Sequence, residues 1–226
     1  MTIIIGITGY AGAGKDTVAE MLVEEIKAAG HTAAIFSFAG PIREIANALG
    51  LAAYDRDRKE VRVTLLFDDF EERLILEIDC ALGHVASMEE RCELFSFFVE
   101  ALADRGHLHY GPAGNTLHIS PRVFMQLLGT EAGRRVSTNF WVDLAGRLQQ
   151  ASEVEFSVTS DVRFPNEADS VDVLLGRVGD VPPVAPHASE QHIVDLLATA
   201  DVLIPRTATL EELKDNVAGL LTTLGI

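Results

Sequence analysis

Cysteine is nearly absent from this 226-residue chain: Cys80 and Cys92 are the only two, and no CxxC spacing exists. That argues against a thiolate metal centre or a dithiol redox pair, and makes buried free thiols the expectation. Basic residues are also scarce, 18 against 34 acidic ones, for a net charge of −16. Long nucleic acid normally needs a basic face, so no such partner is expected. No apolar run approaches the ~20 residues of a membrane span. The chain opens directly on a strand-like segment, without the regions of a signal peptide, so a cytoplasmic setting with no membrane partner is expected. Neither an internal repeat nor a low-complexity tract interrupts it. What remains is the composition of an ordinary globular protein, 48% hydrophobic and 23% charged. Its length suffices for one core with an inserted subdomain.

Against that background one stretch is distinctive. Gly9 to Thr17, GYAGAGKDT, follows the apolar run TIIIGIT (2–8) and opens a helical pattern, VAEMLVEEIKAAG. Gly9, Gly14 and Lys15 fit the phosphate-loop spacing G-x-x-x-x-G-K in a strand–loop–helix context. Glycines let backbone N–H groups turn inward, and the helix N-terminus adds partial positive charge, so the loop cradles a polyphosphate whose terminal phosphates Lys15 reaches. With only four lysines in the chain, a chance match in this context is improbable. The position after the lysine usually carries Ser or Thr, but here it is Asp16, with the hydroxyl one later at Thr17. A carboxylate there can hold Mg²⁺ or accept a proton from an attacking oxygen; its alternative role is a first-turn acid favoured by the helix dipole.

The rest of the pattern is α/β. Apolar runs at 2–8, 32–38, 156–160, 171–176 and 201–204 read as five short strands, and 15–29, 41–49, 121–130, 139–151 and 209–224 as helices. Strand-then-helix units predict a central parallel five-stranded sheet with helices on both faces in three layers. Residues 51–118 break this rhythm. Within them 52–60 reads as a loop or short helix and 61–78 is ambiguous between helix and strand. Ser87–Arg105 is an amphipathic helix with a Ser87/Glu90 capping box, and 108–119 a hairpin. The expected organisation is a core of 1–50 and 119–226 carrying an inserted region, 51–118, that is not an independent domain. A Pro-rich loop covers 181–192, and Thr209 and Glu212 form a second capping box.

In open parallel sheets ligands sit outside the carboxyl ends of the strands. That rule selects Ser37, Phe38 and Arg43 after the second strand, and Asp161 and Arg163 after the third. An acid there commonly orders Mg²⁺ and an arginine can hold a phosphate; a helix cap and a surface ion pair are the plainer roles. The stretch 120–143 gathers Arg122, Arg134, Arg135 and the sole tryptophan, Trp141. Arginines closing over a phosphoryl group neutralise its developing charge. Trp141 suits either base stacking or core packing. Gln126 and Thr130 suit a base edge or water, while Phe124, Met125, Leu127 and Leu128 are expected in the core.

GYAGAGKDT, SFAGPIREIA, PRVFMQLLGTEAGR, NFW, SDVRFPNEA and HASE, in this order, resemble the bacteriophage-type deoxynucleoside monophosphate kinases, of the P-loop nucleoside-monophosphate-kinase-like fold. The resemblance spans both ends of the chain and most of 120–190, but not 51–118. It implies transfer of the ATP γ-phosphate to a deoxynucleoside 5′-monophosphate (dNMP) with Mg²⁺. Ala11, Gly12, Ala13, Gly14, Lys15, Asp16 and Thr17 would bind ATP. Ser37, Phe38, Arg43, Arg122, Gln126, Gly129, Thr130, Trp141, Asp161, Arg163 and Glu167 would surround the acceptor. Lys15, Asp16, Arg43, Arg163 and either Arg134 or Arg135 would serve transfer, with Asp16 and Asp161 at the metal and 51–118 supplying substrate-binding or lid elements. The setting would be a host cytoplasm if phage-encoded, and a homodimer is compatible with it. The chain departs from the family at ADVLIPRTATLEEL, where Arg206 and Ala208 replace an Asn and a Gly near the donor adenine. Rival expectations are another small-molecule P-loop kinase, of the dephospho-coenzyme-A or sugar-acid type, and a non-catalytic ATP sensor or assembly protein.

Overall fold

The computed structural model describes residues 2–55, 57–112, 114–178, 191–207 and 209–224, so most of the Pro-rich segment, the HASE motif and Ala208 lie outside the described residues. In chain order the elements begin with β1 (Ile3–Thr8), α1 (Lys15–Ala28), β2 (Ala33–Phe36), α2 (Gly40–Ala48), β3 (Val63–Leu66), α3 (Phe67–Leu82) and α4 (Met88–Asp104). They continue with β4 (Leu108–His109), β5 (Thr116–Ile119), α5 (Pro121–Gln126), a π-helical turn (Leu127–Ala132), α6 (Gly133–Val136) and α7 (Phe140–Ala151). The last are β6 (Phe156–Val162), α8 (Pro165–Ala168), β7 (Val173–Arg177), α9 (Ile193–Thr199), β8 (Val202–Ile204) and α10 (Leu210–Leu224). The chain divides into two compact units, residues 1–38 with 145–226, and residues 39–144. The stretch 51–118, expected as an insertion, falls inside the second unit, which also holds 39–50 and 119–144.

The first unit is built on a parallel five-stranded sheet of order β2-β6-β1-β7-β8. Ile5, Ile7, Val158 and Leu175 pack from one face against Val18, Leu22 and Ile26 of α1 and Val217 of α10. The other face carries α7, whose Gln149 Nε2 donates to Ser157 Oγ at 2.9 Å, and α9, whose Leu197 closes on Gly176. The sheet is thus the middle layer of three. Buried on both faces, its central strands read as continuous apolar runs. The register of β1 against β6 slips: Gly6 faces Thr159, but Thr8 faces Val162. Three steps on β6 therefore oppose two on β1, a bulge spanning Ser160 and Asp161. Bulges re-aim side chains next to functional sites. The strand also runs to Val162, so Asp161 lies within it rather than after it.

In the second unit the ambiguous stretch 61–78 resolves into both alternatives. Val63–Leu66 pairs antiparallel with β5, Val63 opposite Ile119, turning the expected hairpin into a three-stranded sheet of order β3-β5-β4. The chain then enters α3, where Phe67, Phe70, Leu74, Ile78 and Leu82 are buried at helical spacing and Asp68 and Asp69 favour the first turn. The expected Ser87–Glu90 capping box is present, with Ser87 N donating to Glu90 at 2.7 Å and Glu90 N to Ser87 Oγ at 3.2 Å. Phe124 is the hub of this core, edge-on to Phe98 at 5.1 Å and to Phe70 at 6.2 Å. Leu127 and Leu128 are buried as expected, whereas Met125 is only half-buried. Cys80 and Cys92 are exposed, not buried. Each sits two residues off the apolar stripe of its helix, Cys80 between Ile78 and Leu82 and Cys92 before Leu94, and so turns to solvent.

The π-helical turn interrupts what the sequence suggests is one helix. Such turns leave a carbonyl without its helical donor. Here Trp141 Nε1 donates to Gly129 O at 2.7 Å, and the indole, 7% exposed, lies over Gly133. A methyl group at Gly133 would overlap that indole. Helix propensity favours alanine at this helical position by about 1 kcal/mol, but overpacking a ring fixed by its own hydrogen bond costs about 1–3 kcal/mol. Gly133→Ala is therefore expected to lower the melting temperature; a rise would show that the indole yields.

Candidate active site

β1 ends in buried Thr8 and delivers the chain to Gly9, whose φ of +146° is open to glycine. Any Cβ at Gly9 would stand 2.5 Å from the Arg177 carbonyl oxygen, so the loop starts pressed against the end of β7. The loop closes on Gly14, the N-cap of α1, in the left-handed region at φ 81°. A Cβ built at Gly12 or Gly14 meets nothing within 4 Å, so the backbone there borders open space. With glycine as N-cap, no side chain caps the first amides of α1. Unclaimed N–H groups at a helix N-terminus, beside an unobstructed loop, form an anion cradle. Half-buried Lys15 extends over this loop, its Nζ donating to Tyr10 O at 2.8 Å. The loop residues thus fit a nucleotide polyphosphate, as the spacing expects.

The two carboxylates expected at a metal have different surroundings. Asp16 is exposed on the first turn of α1, and its Oδ1 accepts from Ser160 Oγ at 2.5 Å. Its Oδ2 has no donor among the described residues, which suits a hard cation, with the Thr17 hydroxyl next along the helix. Asp161 is buried and accepts from Ser37 Oγ at 2.5 Å, Phe38 N at 3.1 Å and Thr159 Oγ1 at 2.8 Å. Its carboxylate is engaged in holding the turn that follows β2. The bulge in β6 accounts for the divergence, sending Ser160 toward α1 and Asp161 toward the 37–38 turn. Close by in sequence, Thr8 Oγ1 is fully buried and has no hydrogen-bond partner among the described residues. A buried hydroxyl without a partner is uncommon.

Beyond β6, Glu167 is buried and accepts from the backbone N–H groups of Arg163, at 2.7 Å, and Phe164, at 3.1 Å. It fastens the corner from which the half-buried Arg163 side chain leaves. In the second unit, Arg43 is half-buried on α2, and Gln126, Gly129 and Thr130 are half-buried at the end of α5 and in the π-helical turn. Arg122 pairs with Glu60, and its N–H donates to Lys59 O at 3.0 Å. Arg135 lies 4.2 Å over the Phe97 ring and pairs with Glu100 at 2.7 Å, which ties it to α4. The other candidate lid arginine, Arg134, is half-buried. Trp141 packs and hydrogen-bonds inside its unit, the bonding pattern of a brace for the π-helical turn.

Sequence reasoning passed over Ser160 and Arg177. Ser160 opens the SDVRFPNEA motif, but only the bulge makes it the partner of Asp16. Arg177 had a signal: it ends an apolar strand at the carboxyl edge of the sheet, where the rule that selected Asp161 applies equally.

A family model described as adenylylsulphate kinase matches residues 1–93. Over 178 residues the chain is 28% identical to the deoxynucleoside-5′-monophosphate kinase of Escherichia phage T5, spanning 75% of this chain and 71% of that protein. Among solved structures it resembles cobyrinic acid a,c-diamide synthase from Mycobacterium smegmatis with bound ADP and magnesium. That likeness has a TM-score of 0.44 and 14% identity, and covers 100% of this chain and 82% of the other.

Proposed function

We propose that this protein transfers the γ-phosphate of ATP to a deoxynucleoside 5′-monophosphate, giving the diphosphate and ADP. The chain is a phosphotransferase with a P-loop kinase fold. The observation that carries the reading is the cradle at the end of β1: an unobstructed glycine loop, the uncapped N-terminus of α1, and Lys15 over both. Likeness to the phage T5 enzyme supports the choice of acceptor.

Phosphoryl transfer asks the protein chiefly for positioning and for charge complementary to the transferring group. Ala11 to Thr17 hold the donor phosphates through backbone N–H groups, and Lys15 supplies a cation to the β- and γ-oxygens. Asp16, oriented by Ser160, would hold Mg²⁺ together with Thr17, and the ion would supply charge that neutralises the phosphates. Arg43, Arg122 and Arg163 bind the acceptor phosphate, Arg122 exchanging its pairing with Glu60. Arg134 adds charge at the transferring group. Ser37, Phe38, Gln126, Gly129 and Thr130 contact the acceptor nucleoside. Asp161, Glu167 and Trp141 serve this set by fixing the 37–38 turn, the Arg163 corner and the π-helical turn, respectively. Residues 51–118 are an insertion in a kinase core of 1–50 and 119–226. No helix among the described residues is long and apolar enough to cross a membrane.

The adenylylsulphate kinase match over 1–93 favours a second reading, a P-loop kinase with another small acceptor. ADP formation from ATP and Mg²⁺ with each dNMP, and with adenylylsulphate, tests both. The first reading expects turnover with at least one dNMP and none with adenylylsulphate; turnover with adenylylsulphate alone overturns it.

A further inference from the structure

Arg177 is an arginine 5% exposed at the carboxyl end of β7. Among the described residues every acceptor it meets is a backbone carbonyl. Its Nε donates to Ala13 O at 3.0 Å, and one terminal nitrogen donates to Ile204 O at 3.3 Å and to Pro205 O. Its own carbonyl is the atom against which Gly9 is pressed. The next residue, Val178, donates its N–H to Ile204 O at 3.1 Å. One residue therefore touches the phosphate loop at its first glycine and near its last, and ties both to the end of β8.

A guanidinium so buried is costly when no carboxylate answers it. Burial, and then the charge of Arg206, push its pKa below the ordinary arginine value. A residue serving only to join β7 to β8 would not need a cation, since the parallel ladder already joins those strands. What the planar fork adds is a rigid span from Ala13 to the 204–205 segment, which no single-point donor reproduces.

We propose that Arg177 is a positioning residue for the donor: it presets the loop so that its amides converge on the donor triphosphate before the nucleotide arrives. This rests on the donor site assigned above. Preorganisation of this kind appears in donor affinity rather than in the transfer step, because the same contacts are made in ground and transition states.

The test uses the full chain, with Arg177→Ala and Arg177→Lys. Donor affinity is read by titration with a fluorescent ATP analogue and by KM for ATP, beside KM for the acceptor, kcat and thermal melting. Loss of charge-assisted bonds predicts donor affinity weakened by about ten- to a hundredfold in both variants. Acceptor KM and kcat at saturating ATP should stay within about threefold of the parent values, on the distinction between uniform and transition-state binding. Millimolar methylguanidinium should restore donor binding to Arg177→Ala, while methylammonium should not. Arg177→Lys keeps the proposal falsifiable if the alanine variant fails to fold. Donor and acceptor constants that shift together with a lowered melting temperature would overturn it, as would rescue by both amines equally. A parent protein that binds the analogue but phosphorylates nothing would refute the proposed function while leaving the binding test of Arg177 valid.

Discussion

Replacing Lys15 with alanine should lower kcat/KM for phosphoryl transfer by a thousandfold or more, on the scale of ~10³–10⁵ seen for cations at a transferring phosphoryl group. The fold should survive. Lys15 is half-buried on the first turn of α1, where its Nζ donates to Tyr10 O at 2.8 Å. A hydrogen bond of that kind is worth about 1 kcal/mol, and alanine is the better helix former. For a chain of this size 1 kcal/mol corresponds to a shift of about 2–4 °C in melting temperature, so the two readouts separate cleanly. Steady-state ATP-dependent phosphorylation and a melting curve on the same preparation decide the matter. A variant that turns over within tenfold of the parent would remove Lys15 from the transfer step. A variant that no longer melts cooperatively would make it a structural residue instead.

The strand–loop–helix frame of the proposed donor site was legible because its physics is local. A strand, a glycine spacing and a helix start lie within about one element of each other, and the structure reproduces all three at Ile3–Thr8, Gly9–Gly14 and Lys15–Ala28. The Ser87–Glu90 capping box and the five parallel strands were readable for the same reason. What escaped depends on contacts between residues far apart in sequence. Val63–Leu66 becomes a strand only because β5, more than 50 residues on, offers it an antiparallel edge. The π-helical turn at 127–132 is tied to Trp141, whose indole takes the Gly129 carbonyl. The bulge at Ser160 and Asp161 reflects the pairing of β6 with β1, and no pattern in FSVTSDV announces it. The exposure of Cys80 and Cys92 was in fact readable, since the apolar stripes of α3 and α4 pass them by. There the average preference of cysteine for burial overrode the periodicity.

The two carboxylates on either side of that bulge should respond to the same substitution in opposite ways. Asp16 is exposed and accepts one hydrogen bond, from Ser160. Asp16→Asn keeps the shape and loses the charge, so melting should change by less than about 1 kcal/mol, as for most exposed positions. Transfer should fall by about 10²–10³, the scale of one lost electrostatic contact at the reacting group. Asp161 is 6% exposed and accepts from Ser37, Phe38 and Thr159. Asp161→Ala strands two buried donors, Phe38 N–H and Thr159 Oγ1, and the half-buried Ser37 hydroxyl, and breaking a buried charged network costs about 3–5 kcal/mol. Asp161→Asn retains one acceptor oxygen for Phe38 N–H and Thr159, while the Ser37 hydroxyl can rotate to accept from the new amide. It should lose only about 1–2 kcal/mol of stability and keep transfer within about tenfold, the bound for a change that leaves the 37–38 turn in place. Kinetics and melting of the three variants, taken with Mg²⁺ saturating, separate the roles. Asp161→Asn that melts like the parent yet no longer transfers phosphate would show that its charge acts at the metal, and that the carboxylate does more than hold the turn after β2. Asp16→Asn with unimpaired transfer would return Asp16 to the plainer role of a first-turn acid on α1.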